Sequence, residues 1–190
     1  MREFIKIQVP TEGYTEVKQI GNKYVVHLEG VAEGEITTCY ECMTDSEPNL
    51  TELTQELQEY KAYRAERDLA TAKKVKIAEL IKYDKSTAVE NFEIHKDGKK
   101  FIDYWLEVNL RQSLKSAVQA SIKEGSTYDF DVREYGITLT LSNVKFLEAL
   151  EILEVYAYSA YNITSRHMAA INALTTKEAV KAYDFTTGFP

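Results

Sequence analysis

The first 47 residues alternate apolar and polar side chains in short runs. Three of these runs are rich in β-branched and aromatic residues: FIKIQV at 4–9, KYVVHLEG at 23–30 and ITTCYECM at 36–43. Gly21-Asn22 precedes the second run, and Gly30 and Gly34 precede the third. The pattern predicts three strands of a small antiparallel sheet, within an N-terminal β-rich module that covers residues 1–47.

The hydrophobic period changes after Pro48. Asn49 is a suitable N-cap residue, and Glu52 follows it three positions later, as at the start of many helices. Apolar residues then recur three or four positions apart near both ends of the segment, at Leu50, Leu53, Leu57 and Tyr60 and at Ile77, Leu80 and Ile81. Residues 61–74 are mostly charged or alanine. Residues 48–83 are therefore predicted to form one connecting helix that packs at its ends and is solvated in its middle.

The rest of the chain, residues 84–190, contains both strand and helix patterns. Lys96-Asp97-Gly98-Lys99 lies between alternating flanks and predicts a β-hairpin, and residues 128–143 predict a second one. We therefore predict an α+β fold in three parts: a small N-terminal antiparallel β module, a long connecting helix and a C-terminal, mainly helical body with two β-hairpins.

Three helices are predicted in this body. The first covers residues 107–125 and ends at Gly125. The second is the most apolar, covers residues 144–174 and can be capped by Ser142. The third is short: Thr175, with Glu178 three positions later, is predicted to form a capping box at its start.

Charge is unevenly distributed along the chain. The net charge is -7; residues 1–60 hold twelve acidic and four basic side chains, whereas residues 61–190 hold eighteen and nineteen. An acidic module argues against a nucleic-acid partner, because such partners require clustered lysine and arginine. It suits a protein partner with a basic patch, and a charge excess that only keeps the protein in solution explains it equally well.

The apolar runs are short. None reaches the roughly 20 residues that a membrane-spanning helix needs, and the first ten residues, MREFIKIQVP, lack the apolar stretch of a signal peptide. We therefore expect no membrane partner and expect the protein to remain where it is made.

The candidate chemical groups do not form a recognisable site. Cys39 and Cys42 have the spacing of half a zinc or redox site, but a second ligand pair is missing, and on a strand the two sulfurs would face opposite sides. His27, His95 and His167 lie in different elements and are interpreted as structural. We therefore predict no catalytic residue, no cofactor and no metal, and a protein that is not an enzyme.

Tyrosines are concentrated in the most apolar helix. Tyr156, Tyr158 and Tyr161 alternate with alanines there, and no run of basic residues accompanies them. We interpret them as core and inter-helix packing residues rather than as a platform for stacking nucleic-acid bases.

Two segments of the chain are similar to each other. IKYDKSTAVENF follows the connecting helix, and VKAYDFTTGF closes the sequence; each has a helix, then Tyr-Asp, a Ser/Thr pair and Phe. Asp and Ser/Thr after a helix can bond nearby backbone groups and turn the chain. We interpret both segments as helix ends fixed by aromatic residues, with Phe185 and Phe189 as anchors; an exposed contact patch is the alternative.

Four groups of residues together resemble a known domain. They are the Tyr-Asp segment with Ser, Ala-Val and Phe after it; Trp105-Leu106 followed by Arg111, Ser113 and Leu114; the stretch Tyr161, Asn162, Thr164 and His167; and the closing Tyr-Asp-x-Thr-x-Gly-Phe-Pro. Over about residues 75–190 the chain resembles an uncharacterised C-terminal domain of tailed-phage and prophage proteins, often labelled tail fibre or tail-fibre assembly. The family has no known activity.

This resemblance implies structural anchors and a function. The anchors are Trp105, Arg111, Tyr183, Asp184, Phe185 and Phe189. Glu107-Val108-Asn109 departs from the family pattern, so a local ion pair to Arg111 is not expected.

The implied function is that of a non-enzymatic virion protein, a structural or accessory subunit of the tail or tail fibres. Such a protein is assembled in the host bacterial cytoplasm and resides in the tail region of the virion. Its partners are other virion or tail proteins and copies of itself. The alternative is a tail-fibre assembly chaperone that does not remain in the particle.

Overall fold

The computed structural model describes residues 1–90, 94–96, 99–101, 108–121, 127–132 and 137–190. The chain divides into two units, Met1–Ala70 and Thr71–Pro190. The first unit holds fourteen acidic and seven basic side chains, and the second holds sixteen of each. The whole net negative charge of the chain therefore belongs to the first unit.

The first unit contains a four-stranded antiparallel sheet. Its strands are β1 (Ile5–Pro10), β2 (Val17–Ile20), β3 (Lys23–Glu33) and β4 (Ile36–Thr44), in the order β1-β4-β3-β2. Strands β1 and β2 are consequently the two edges. The start of α1 (Leu50–Asp84) completes the unit.

Two details of this sheet differ from the sequence prediction. Strand β2 was not among the three predicted strands. Its sequence VKQI is short and lacks a clear alternation of apolar and polar residues, and the strand is mostly exposed. Gly30 does not end a strand: β3 continues to Glu33 through a bulge between Leu28 and Val31. A side chain at Gly30 would collide with the ring of Tyr14, which explains why glycine suits this position.

The core of the first unit lies between one face of the sheet and α1. Alternate strand residues point to this face, and the helix contributes residues one turn apart. The buried cluster consists of Phe4, Val26, Leu28, Cys42, Leu53 and Leu57. Tyr24, Tyr40 and Tyr60 pack at its margin. At the bulge, the Glu29 carboxylate accepts hydrogen bonds from Gln58 and Lys61 of α1, which lower its pKa.

Helix α1 confirms the prediction of one continuous connecting helix. Asn49 Oδ1 accepts hydrogen bonds from the backbone nitrogens of Thr51 (3.1 Å) and Glu52 (3.4 Å), as expected of an N-cap. Residues 62–68 are all exposed, as the run of charged residues and alanines predicted. The stability of this middle segment therefore depends on intrahelical contacts rather than on burial.

The second unit is mainly helical. Besides the end of α1, its helices are α2 (Val108–Ser121), α3 (Asn143–Ala173) and α4 (Lys177–Ala182). Strand β5 (Ile94–Lys96) pairs antiparallel with β6 (Lys99–Phe101), and β7 (Thr127–Val132) pairs antiparallel with β8 (Ile137–Ser142). The α+β class holds for the chain. The predicted turn at Asp97-Gly98, the turn between β7 and β8, the helix end at Gly125 and Trp105 lie outside the described residues.

The caps of α3 and α4 test two sequence predictions. Ser142 Oγ accepts a hydrogen bond from Lys145 N at 3.4 Å, so the predicted cap of α3 is confirmed. The prediction of Thr175 as the cap of α4 is wrong: Thr176 is the N-cap, and its Oγ1 accepts from Ala179 N at 3.2 Å. Because Glu178 is then only the second helical residue, it is not placed for the reciprocal bond of a capping box.

Candidate functional site

The two similar Tyr-Asp segments converge on helix α3. Tyr83 and Asp84 are the last residues of α1, and Tyr183 is the C-cap of α4. Thr164 Oγ1 donates to Asp84 Oδ1 at 2.6 Å, and His167 Nδ1 lies 2.8 Å from the Tyr183 hydroxyl. Thr164 and His167 are three positions apart and thus lie on the same face of α3. One helix face therefore binds both segments.

We call this arrangement the Tyr-Asp clamp. It consists of Tyr83, Asp84, Thr164, His167, Tyr183, Asp184, Phe185 and Phe189, and all of these residues belong to the second unit.

The first Tyr-Asp segment ends α1 in a tight turn. Ser86 donates to the Tyr83 carbonyl from its backbone nitrogen (2.9 Å) and from its hydroxyl (2.6 Å). The same hydroxyl oxygen accepts from Ala88 N at 3.3 Å. This turn brings the buried Val89 beneath α3, where the Val89 carbonyl accepts from the Tyr156 hydroxyl at 3.1 Å.

The second Tyr-Asp segment turns through its aspartate. Asp184 Oδ1 accepts from both the backbone nitrogen (2.8 Å) and the hydroxyl (2.7 Å) of Thr186. These two hydrogen bonds stabilise the ionised carboxylate and hold the pKa of Asp184 below its ordinary value. Gly188 adopts a φ of 85°, which an L side chain rarely adopts, and thereby lets the chain return towards α1.

Aromatic rings fix the returning segment. The Tyr83 ring lies 5.7 Å from the Phe185 ring and 5.6 Å from the Phe189 ring, and the His167 ring stacks on Phe189 at 5.8 Å. Lys76 places its ammonium group 5.1 Å from the centre of the Phe185 ring. Both phenylalanines are half-buried, and Asp184 is exposed. The anchors inferred from the sequence thus contact α1 and α3 through ring faces and edges.

Backbone carbonyls of the last residues are also bound. The carbonyl of Thr186 accepts from the Tyr83 hydroxyl at 3.4 Å, and that of Pro190 accepts from the Tyr156 hydroxyl at 3.3 Å. His167 Nε2 lies 3.0 Å from the Thr187 carbonyl, which can only accept, so Nε2 carries a proton. Nδ1 of a neutral His167 then accepts from Tyr183. Both ring nitrogens of His167 are occupied by structural contacts.

Arg111 lies apart from the clamp, between α2 and α3. It is only 3% exposed, and its Nε donates to Glu154 Oε1 at 2.8 Å. On the same side, Lys115 and Glu151 form a second, longer ion pair at 3.7 Å. The partner of Arg111 is therefore provided by α3, 43 residues away along the chain. This partner could not be predicted from the sequence, because no local spacing relates the two residues.

A cavity of about 300 Å³ adjoins Arg111. Asp84, Glu90 and Glu154 line it, together with Tyr158 and Tyr161. Burial, assisted by the neighbouring Asp84 carboxylate, raises the pKa of Glu90. The prediction that Tyr158 and Tyr161 are core residues is wrong: they are 67% and 66% exposed, whereas Tyr156 is half-buried.

The cysteines of the first unit are buried separately. Cys42 belongs to the core against α1, whereas Cys39, an odd number of positions away on β4, lies on the opposite face close to Tyr14. Burial raises the pKa of both thiols, so neither is activated as a nucleophile. Within the described part of the chain, no three His, Cys, Asp or Glu side chains are grouped so that they could hold a metal ion.

His27 is fixed on the same face as Cys39. Its Nδ1 lies 3.0 Å from the Thr15 carbonyl, its Nε2 lies 3.2 Å from Glu41 Oε2, and the Tyr14 ring stacks on it at 5.7 Å. These contacts hold the connection between β1 and β2 against the sheet. His95 lies in β5.

One end of the sheet carries exposed apolar side chains next to exposed acidic side chains. Val31 is 58% and Ile36 is 46% exposed there, next to the exposed carboxylates of Glu12, Glu33 and Glu35. A shallow cleft between the end of β1 and the β3–β4 turn is lined by Glu12, Glu35 and Ile36 and by no basic residue. We call Glu12, Val31, Glu33, Glu35 and Ile36 together the acidic tip.

No family model matches the chain, and no curated protein or solved structure matches it. In the described residues, no helix combines the length and the apolar character needed to cross a membrane.

Proposed function

We propose that this chain is a non-enzymatic structural subunit of a phage tail or tail fibre and that it acts through protein–protein contacts. The proposal starts from the resemblance of residues 75–190 to the tailed-phage domain. The observation that carries it furthest is the Tyr-Asp clamp, in which residues from three of the resembling stretches bind one another.

This use of the motif residues favours an architectural role. Asp84 binds Thr164, His167 binds Tyr183, and Asp184 binds the residue two positions after it. The polar atoms that could have met a substrate are instead used to close the fold around α3. A motif of this kind defines a shape that other proteins of an assembly can recognise.

The first unit is proposed as the docking end. Its sheet has two edge strands, β1 and β2, and its acidic tip combines exposed apolar side chains with three carboxylates and no basic residue in the adjoining cleft. The complementary partner is a basic surface of another tail protein, because opposite charges speed association and select the partner. The neutral second unit then meets further subunits, including copies of itself.

Quantitative mass spectrometry of purified particles tests the assignment. A structural subunit is expected at a fixed ratio to the major tail protein, in particles purified through a density gradient and washed with salt. If the chain is abundant in the infected or induced cell but absent from the particles, this result contradicts the proposal and favours the assembly chaperone. The major capsid protein and an abundant host protein serve as positive and negative controls in the same sample.

A further inference from the structure

Helix α3 presents a second face whose large apolar side chains are mostly exposed. The buried side of α3 contains Phe146, Leu150 and Leu153, which are each 3% exposed. On the other side, Val144 is 52%, Ile152 61%, Val155 72% and Tyr158 67% exposed. Four large apolar side chains on one helix face are typical of a surface that binds another protein.

These residues belong to a longer run with helical spacing. At 100° per residue, the run falls within an arc of roughly 120° of the helix surface. Its members are Val144, Glu148, Ile152, Val155, Tyr158, Asn162 and Arg166. The steps are four, four, three, three, four and four residues, so the run is symmetric about Val155. It extends over about 33 Å, since an α-helix rises 1.5 Å per residue.

The symmetry matters because, in two antiparallel copies of α3, the run on one helix would face the same run on the other helix. A two-fold axis at Val155 places Val155 against its own copy and Ile152 against Tyr158. Glu148 then faces Asn162 of the other helix, and Arg166 faces Val144. Ile152, Val155 and Tyr158 form an apolar centre, and the polar residues Glu148, Asn162 and Arg166 lie on either side of it, with Val144 at the end of the run.

The charges on this face favour the same arrangement. Glu148 lies in the first half of α3 and Arg166 in the second, both are exposed, and neither pairs with another described residue. In the antiparallel pair, Arg166 of one helix lies one turn, about 6 Å along the axis, from Glu148 of the other. An arginine side chain spans that distance. In a parallel pair, Glu148 would meet Glu148, which is unfavourable.

We propose that the exposed face of α3 binds the same face of a second copy of this chain, antiparallel and about a two-fold axis at Val155. The inference rests on the proposed function in one respect: it names the self-contact by which the second unit joins the assembly. The interface is isologous, with one Glu148–Arg166 pair on each side of an apolar centre. A helix pair of this length is at the low end of interface sizes, so the dimer is expected to depend on concentration.

Sedimentation of the full-length chain over a wide range of concentrations provides the first test. We expect a reversible monomer–dimer equilibrium. Val155→Asp places two carboxylates at the axis and is expected to raise the dimer dissociation constant by about thirtyfold or more. The matched control is Val75→Asp on α1, where the valine is also exposed, at 54%. It should leave the dissociation constant unchanged.

A charge exchange tests the antiparallel orientation. Glu148→Arg and Arg166→Glu should each weaken the dimer several-fold, since each brings like charges together. The double variant restores opposite charges and should recover most of the original affinity. Circular dichroism of each variant checks that the helix content is retained.

Three results would overturn the inference. They are a chain that sediments as a monomer at every concentration, a dimer that persists in Val155→Asp, and a double variant that is no tighter than either single variant. Each is measured on purified protein without particles. A failed dimer therefore leaves the virion assignment to be decided by the particle measurement, and a chain that is absent from particles leaves the dimer result standing.

Discussion

Both units of this chain bury apolar side chains, and the second adds a set of polar and aromatic contacts, the Tyr-Asp clamp. In the first, a face of a small sheet and the start of α1 bury an aliphatic and aromatic cluster in which Val26 and Leu57 are 0% exposed. The second also buries apolar side chains, such as Leu80, Ile171 and Val180. In addition, α3 binds the end of α1 and the last residues of the chain through hydrogen bonds and half-buried rings. The first unit carries all of the net charge, and the second carries none.

This difference explains which of the two units has a recognisable sequence motif. An apolar core accepts many combinations of residues of similar size, so a small sheet on a helix leaves little signature in a sequence. A clamp made of Thr164–Asp84 and His167–Tyr183 pairs requires particular polar atoms at particular places. The resemblance on which the proposed function is based accordingly uses residues of the second unit.

The largest expected effect is in the apolar core of the first unit. Leu57→Ala removes a fully buried side chain and leaves a cavity, which should lower the free energy of unfolding by about 2–5 kcal/mol. Urea denaturation followed by circular dichroism measures the change. Tyr63→Ala on the exposed middle of α1, where Tyr63 is 42% exposed, is the control and should cost well under half as much. Equal losses for both variants would show that this core is not the main support of the first unit.

Deletion of residues 184–190 tests the clamp. It removes two half-buried phenyl rings, each contributing about 1 kcal/mol. It also removes the carbonyls bound by Tyr83 and His167, each worth about 0.5–1 kcal/mol, whereas the Tyr156 hydroxyl keeps the Val89 carbonyl. We expect a total loss of about 3–4 kcal/mol in the unfolding free energy of the second unit. A shortened chain that unfolds at the same urea concentration as the full chain would instead make the segment an external contact patch.

Loss of the Arg111–Glu154 ion pair is expected to have an intermediate effect on the free energy of unfolding. Glu154→Ala leaves a buried guanidinium without its carboxylate partner. The cost should be about 2–3 kcal/mol, below that of a fully buried pair, because Glu154 is 36% exposed and Arg111 keeps a further contact. The double variant Arg111→Met with Glu154→Met should recover most of this loss in thermal unfolding. A double variant as unstable as Glu154→Ala would show that the pair itself is needed.

The smallest expected effect concerns Asp184 and has a defined pH dependence. The folded-state pKa of Asp184 is lowered, so its contribution is present above the unfolded pKa of about 4 and is lost as pH falls through the folded value. Asp184→Asn should therefore be slightly less stable than the natural chain at pH 7, and the difference should vanish in acid. Urea midpoints at several pH values measure it. A difference that grows in acid would contradict the assignment.

Much of the local structure could be predicted from the sequence because its signals are local. The caps at Asn49 and Ser142, the exposed middle of α1 and the opposite faces of Cys39 and Cys42 all follow from spacing over a few residues. Where the local signal is weak, prediction failed. Strand β2 is short, edge-placed and mostly exposed, and Thr175 and Thr176 are adjacent residues with equal capping ability.

The candidate site was less predictable because its contacts are distant in sequence. Thr164 binds Asp84 across 80 residues, and Arg111 binds Glu154 across 43. The repeated Tyr-Asp pattern indicated two helix ends, but nothing in it specified that both bind one face of α3. Likewise, Tyr158 and Tyr161 have the composition of core residues, but their side chains are 67% and 66% exposed, which their local sequence does not indicate.

The central claim is that the chain is a tail subunit that docks through its acidic first unit, and particle incorporation of charge variants tests it most directly. Glu12→Lys, Glu33→Lys and Glu35→Lys together reverse the acidic tip. Glu16→Lys, Glu47→Lys and Glu59→Lys make the same charge change at exposed positions of the first unit outside the tip. We predict that the control variant is incorporated at the ratio of the natural chain, while the tip variant folds but is largely absent from particles. Incorporation of both variants at the natural ratio would contradict the account.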